Sequence, residues 1–167
     1  QANDGSSDEF YEEEVRALLV GEDRRNVFVK AISRARQSIY ISTDRLDDRT
    51  TIEALRDKWV EGQVRIRIIV PDKAKTDWGF DFLKAYDMQI VVSNKLIPSI
   101  IAVDEEFVVY GKVSLETGNL ESSHKDEVHI TEDPDEINVF LDRYQELWCE
   151  LREWQTGDSL QVPMIPP

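Results

Sequence analysis

Cysteine is almost absent from this chain. Cys149 is the single one among 167 residues, which excludes an internal disulfide framework and a cysteine-cluster zinc site. The compartment expected from that usage is reducing, the cytoplasm. Glycine is sparse and scattered, at Gly5, Gly21, Gly62, Gly79, Gly111, Gly118 and Gly157. No glycine-rich phosphate loop, dinucleotide fingerprint or G-x-S-x-G elbow can be assembled from those positions. No window approaches 18 uncharged apolar residues, so no membrane-spanning helix is expected. The opening segment QANDGSS lacks the basic and apolar stretches of a signal peptide. It also lacks a methionine, as expected of a processed chain or a piece of a longer one.

Lysine is scarce too. There are 8 Lys and 12 Arg against 17 Asp and 17 Glu, a net charge of −14. Such a surface repels a phosphate backbone, which disfavours direct nucleic-acid binding by this chain. An ordinary acidic domain and an adaptation to high salt both fit that composition. The excess is spread along the chain and forms no acidic tail. At this length one domain can bury a core without metal or disulfide support.

Hydrophobic periodicity divides the chain into alternating elements. Residues 1–7 read as a disordered leader and 8–22 as an amphipathic helix or connector. A helix is expected over 23–36, burying Val27, Phe28, Ala31, Ile32 and Ala35. The run SIYIS at Ser38–Ser42 reads as a strand. Thr50 and Glu53 have capping-box spacing at the start of a helix closed by Gly62. A strand follows over 64–70 (VRIRIIV), then a helix over 72–86 with Gly79 as its weak spot. Further strands are expected over 88–92, 99–103 and 107–110, the last two forming a hairpin across Asp104, Glu105 and Glu106. Residues 112–124 read as a loop and 127–131 as a final strand. The closing helix starts at N-cap Asp133 with Pro134 first, and carries Ile137, Phe140, Leu141, Tyr144, Leu147, Trp148, Leu151 and Trp154 at spacings of three and four. Gly157 is expected to end it, leaving 156–167 as a proline-rich tail. The unit over 23–155 is therefore a single α/β domain with a mixed sheet and helices on both faces.

In such sheets ligands bind beyond the carboxyl ends of the strands. That rule selects Ser42, Thr43 and Asp44, then Asp72, then Ser93, Asn94 and Lys95. His124 and His129 lie beside Asp126 and Glu127 and read as solvated residues more readily than as metal ligands. Cys149 reads as a small core residue on the closing helix.

The stretch LIPSIIAVDEEFVVYGKVSLETGNLESSHKDE, residues 96–127, resembles the core of the phospholipase D superfamily. The superfamily pattern is H-x-K, four residues, Asp, six residues, then G-S-x-N, with a later Glu. Asp104 and Gly111 match it, and Glu127 matches the later acid. Ile97 stands where the nucleophilic His belongs, Ser99 where the Lys belongs, and Lys112 and Ser114 replace the Ser and Asn. Attack on phosphorus needs an imidazole, and isoleucine cannot supply one. The resemblance therefore implies a retained fold without catalysis.

A closer resemblance is to the effector domain of TrmB-type archaeal transcriptional regulators, a degenerate phospholipase-D-like fold. It is carried by 31–43 (AISRARQSIYIST), 64–70, 98–104, 131–135 and Leu147–Trp148, and spans about 120 residues. What it implies is a non-catalytic ligand-sensing and dimerisation domain: a homodimer, a small-molecule effector such as a sugar, and DNA contact only through a separate domain. No cofactor, metal ligand or membrane contact is implied. The residues expected to line the ligand cleft are Ser42, Asp44, Asp72, Ser93, Asn94, Ser99, Lys112, Ser114 and Glu127. Two alternatives remain beside it: a protein-interaction module docking through Trp148 and Trp154, and a phosphodiesterase or nuclease using His124 and Lys125.

Overall fold

The computed structural model describes residues 23–122 and 128–164, with side chains described as far as 153. The expected leader, the 8–22 helix, His124, Lys125 and Glu127 lie outside the described residues, as do 165–167. The elements run α1 (Arg24–Arg34), β1 (Ser38–Ser42), α2 (Arg49–Glu61), β2 (Arg65–Pro71), a 3₁₀ turn (Asp72–Thr76), α3 (Trp78–Lys84), β3 (Gln89–Ser93), β4 (Ile100–Val103), β5 (Phe107–Gly111), α4 (Thr117–Leu120), β6 (Val128–Thr131) and α5 (Pro134–Met164). One six-stranded sheet has the order β3-β2-β1-β4-β5-β6. β1, β2 and β3 pair in parallel, and β4, β5 and β6 continue antiparallel from the other side of β1.

Alternation along the strands builds two cores. Ile39 and Ile41, Ile66 and Ile68, Ile101 and Val103, and Phe107 and Val109 face α1, α2 and α3, meeting Phe28, Ile32, Leu55 and Leu83. The alternate residues Ile69, Val91, Ile100, Ala102 and Val108 face α5 and meet Ile137, Tyr144, Trp148 and Leu151. The mixed sheet with helices on both faces is thus the architecture, with α5 closing one face. Tyr144 fixes that closure. Its hydroxyl lies 2.8 Å from the Ile41 carbonyl and 3.0 Å from that of Arg67. Its ring stacks on Tyr40 at 5.4 Å, and burial pushes its phenol well above the ordinary value. Arg67 enters the same face because its guanidinium lies over the Tyr40 and Trp148 rings and donates to Gln145 at 2.6 Å.

Several boundaries differ from the expected ones for identifiable reasons. Asp48, not Thr50, caps α2, accepting from the Thr51 amide at 3.2 Å and its hydroxyl at 2.8 Å. The expected 72–86 helix is broken at Asp77, whose extended backbone lets its carboxylate accept from the Leu46 amide and pair with Arg45 at 2.7 Å. Gly79 follows because the chain runs against Leu46 there. A Cβ would meet the Leu46 carbonyl oxygen at 2.4 Å and Ile52 at 2.6 Å. Residues 115–120 are more ordered than a loop, with Leu115 bridging to Leu46 and the short α4 following. Asp133 does cap α5, accepting from the Glu136 amide at 3.1 Å. That helix passes through Gly157 to Met164, because one glycine costs a helix only about 1 kcal/mol. The tail expected over 156–167 is therefore helical as far as Met164.

Two carboxylates tie these elements together. Asp104 lies in the β4–β5 turn, where it and Glu105 take positive φ of 52° and 59°. Its side chain accepts from the amides of Arg36 (2.9 Å), Gln37 (2.7 Å) and Ser38 (3.0 Å), and its own amide donates to the Ser38 carbonyl at 2.8 Å. Asp48 is 2 % exposed and receives Arg25 at 2.6 Å, Thr51, and the Thr117 hydroxyl at 2.9 Å. Burial alone would raise its pKa, but the hydrogen bonds from Arg25, Thr51 and Thr117 hold it at about 2.

Asp104→Ala leaves three amides without their acceptor, the Ser38 one buried and the other two partly so, and is expected to cost about 2–3 kcal/mol, read as a lower denaturation midpoint. Asp48 has a folded pKa below the unfolded value of about 3.9. Its contribution is present above that value and is lost as the pH falls from about 4 towards 2. Acid denaturation curves should therefore lose slope in that window in Asp48→Asn, with lower stability at pH 7.

Candidate functional site

The carboxyl ends of the parallel strands do carry the polar residues the architecture selects, but the buried hydroxyls among them are taken up by the chain's own backbone and side chains. Ser42 ends β1 and is buried. Its hydroxyl donates to the Pro98 carbonyl at 2.5 Å and accepts from the Ile100 amide at 3.0 Å, pinning residues 98–100 to β1. Ser93 ends β3 and closes on its own loop, contacting the Lys95 carbonyl and amide at 2.6 and 3.0 Å. Ser114 is buried, its hydroxyl 3.1 Å from that of Thr43, which also accepts from the Leu115 amide at 2.9 Å. Asn119 completes this corner. It accepts from the Ser114 amide, donates to the Lys112 carbonyl at 2.8 Å, and receives the buried Arg24.

The remaining expected cleft residues divide. Asp72 is exposed and pairs with Lys75 at 3.0 Å. Asp44, Asn94 and Lys112 are exposed, and Ser99 is half-buried. Ser42 and Ser114 are therefore organised by different contacts, the first with 98–100 and the second with the Thr43–Asn119 corner. The predicted polar residues form no common set of inward-pointing donors among the described residues.

One cavity lies beside Ser42. A groove of about 500 Å³ runs between residues 97–100 and α5. Ile97, Pro98 and Ile100 form one wall; Phe140, Tyr144 and Leu147 form the other. Arg143, Glu146 and Glu150 stand along the α5 side, with Glu150 paired to Lys95 at 2.7 Å. Ile97, at the position of the absent nucleophile, is thus a wall of the groove. The α5 residues could not be assigned to it by motif, since they lie some forty positions further on. Their amphipathic spacing marked them only as core-facing.

Two expected features are corrected here. Trp148 is 2 % exposed, packed between α5 and the sheet, and offers no docking surface. Cys149 is exposed and not a core residue, because its neighbour Trp148 occupies the buried stripe. His129 lies on edge strand β6, its ring stacked on Tyr110 at 5.3 Å.

With this geometry in hand, solved structures provide the comparison. The Nuc protein of Salmonella typhimurium, a phospholipase D family member, aligns with a TM-score of 0.58 at 16% identity, over 74% of this chain and 86% of its own. NucT from Helicobacter pylori aligns at 0.61 and 17% identity, over 75% and 87%. TrmBL2, an archaeal chromatin protein, aligns at 0.55 and 13% identity, over 77% of this chain and 50% of its own. No family model and no curated protein matches the sequence. The chain therefore has the phospholipase-D-like fold. Among the described residues no helix is long and apolar enough to cross a membrane.

Ser42→Ala removes both bonds that hold the groove wall and strands the buried Ile100 amide. The expected cost is about 1–2 kcal/mol, with faster amide exchange at Ile100 as the local readout.

Proposed function

We propose that this chain is the catalytically silent, ligand-sensing and dimerisation domain of a TrmB-like transcriptional regulator. The observation that carries the reading is Ile97. The phospholipase-D-like frame is retained around it, with Asp104 and Gly111 kept in the β4–β5 hairpin, while an aliphatic side chain lines the groove where an attacking imidazole would be needed. The motif's Lys, Ser and Asn positions hold Ser99, Lys112 and Ser114. Of these, the Ser114 hydroxyl is taken up by Thr43. The fold likeness to TrmBL2 is compatible with the regulator assignment, and the likeness to Nuc and NucT leaves the choice between regulator and nuclease to position 97.

Partners follow from charge. A net −14 disfavours direct contact with DNA, so DNA recognition falls to a separate domain, and this one binds a small-molecule effector and a second copy of itself in the cytoplasm. A protein-interaction module on the same scaffold is the second reading. It is favoured by Leu96, which is 99% exposed beside the groove.

Calorimetric titration with a metabolite panel, combined with sedimentation, tests the proposal. A dimer that binds one compound saturably is the expected result; a monomer that binds none would remove its support. In parallel, the chain should leave bis(p-nitrophenyl) phosphate intact. Hydrolysis that disappears in His124→Ala would establish an enzyme instead.

A further inference from the structure

The groove's chemistry narrows the class of effector. Its walls are Ile97, Pro98, Ile100, Phe140 and Leu147, with the ring of Tyr144. The polar atoms at the groove's inner side, the Ser42 and Tyr144 hydroxyls, are already engaged. Ser42 uses its hydroxyl on Pro98 and Ile100, and the Tyr144 hydroxyl is turned to the Ile41 and Arg67 carbonyls. A sugar carries a hydroxyl on nearly every carbon. Each one buried without a partner costs about 1–3 kcal/mol, and the charged groups of Arg143 and Glu146 stand at the groove's exposed α5 edge, away from its apolar walls, with no ring of donors and acceptors to meet them. Its charges also cancel: Glu150 is paired with Lys95 at 2.7 Å, while Arg143 and Glu146 stand on the same side with opposite signs. Neither an anion nor a cation is selected, even on a chain of net charge −14. A volume of about 500 Å³ is that of a small-molecule pocket, and such pockets are bounded mainly by apolar side chains.

We infer that this groove binds a compact, uncharged, carbon-rich molecule, an aromatic or alicyclic compound, in place of the sugar that the family resemblance implies. The inference rests on the ligand-sensing reading and specifies its ligand. Binding would brace α5 against residues 97–100, the segment that Ser42 ties to β1.

The neutral probe N-phenyl-1-naphthylamine, titrated into the full chain and followed by fluorescence, tests this. Saturable uptake at one site per chain is expected, undisturbed by glucose or maltose. Ile97→Asp places a carboxylate in the wall and should weaken uptake by about tenfold or more. Leu96→Asp, outside the groove, should leave it unchanged. Leu147→Asp provides a second wall variant, and circular dichroism establishes that each variant is folded. Absence of saturable uptake, equal uptake by a folded wall variant, or displacement by a sugar would overturn the inference. So would uptake that declines as the protein self-associates, since a second copy would then be the occupant. A metabolite bound calorimetrically without naphthylamine uptake would refute the ligand class and leave the sensing function standing.

Discussion

The Asp104 carboxylate and the three amides of Arg36, Gln37 and Ser38 form the contact on which the rest of the arrangement depends. It joins the tip of the β4–β5 hairpin to the point where α1 ends and β1 begins. β1 is therefore fixed between its parallel neighbour β2 and its antiparallel neighbour β4, at the centre of the sheet. The turn also adopts positive φ at two non-glycine residues, an arrangement costing roughly 1–2 kcal/mol at each. Three charge-assisted hydrogen bonds offset that strain.

This role sets Asp104 apart from the residues that precede the hairpin. The acid at 104 accepts from three backbone amides and fixes the strand register, so the fold needs it whether or not chemistry occurs. Positions 97 and 99 precede β4 and carry no such duty. Ile97 packs with the α5-facing core, turning a position suited to chemistry into part of an apolar wall.

A second set of contacts fixes the opposite corner. Asp48 joins α1, the α2 N-terminus and α4 through Arg25, Thr51 and Thr117, and Asp77 joins the β1–α2 connection to α3 through Arg45 and Leu46. Hydrogen bonding from Arg45 lowers the Asp77 pKa against the opposing effect of burial. Among the described residues, the few acids that are buried each hold several donors, while the others are at least partly exposed. The acidity is thus divided between structural anchors and solvent-facing charge.

Most of the architecture was legible along the chain. Periods of two in 64–70 and of three and four in 134–151 reflect side chains that must alternate across a sheet or line one side of a helix. The β4–β5 hairpin, the Asp133 cap and the motif's missing histidine could be read locally for the same reason, since neighbours in sequence decide them. What could not be read was where each polar group is satisfied. Thr50 and Asp48 are both plausible caps, and the contact with Arg25 across the fold makes Asp48 the one used. Ser42, Ser93 and Ser114 are all fitted to hold a ligand, yet their donors and acceptors meet atoms brought close only by folding, two of the three from distant segments. Sequence determined most of the strands and helices and the aliphatic side chain at position 97. Tertiary structure alone decided that those hydroxyls face inward and that α5 closes over Ile97, because burial and hydrogen bonding depend on which distant segments meet.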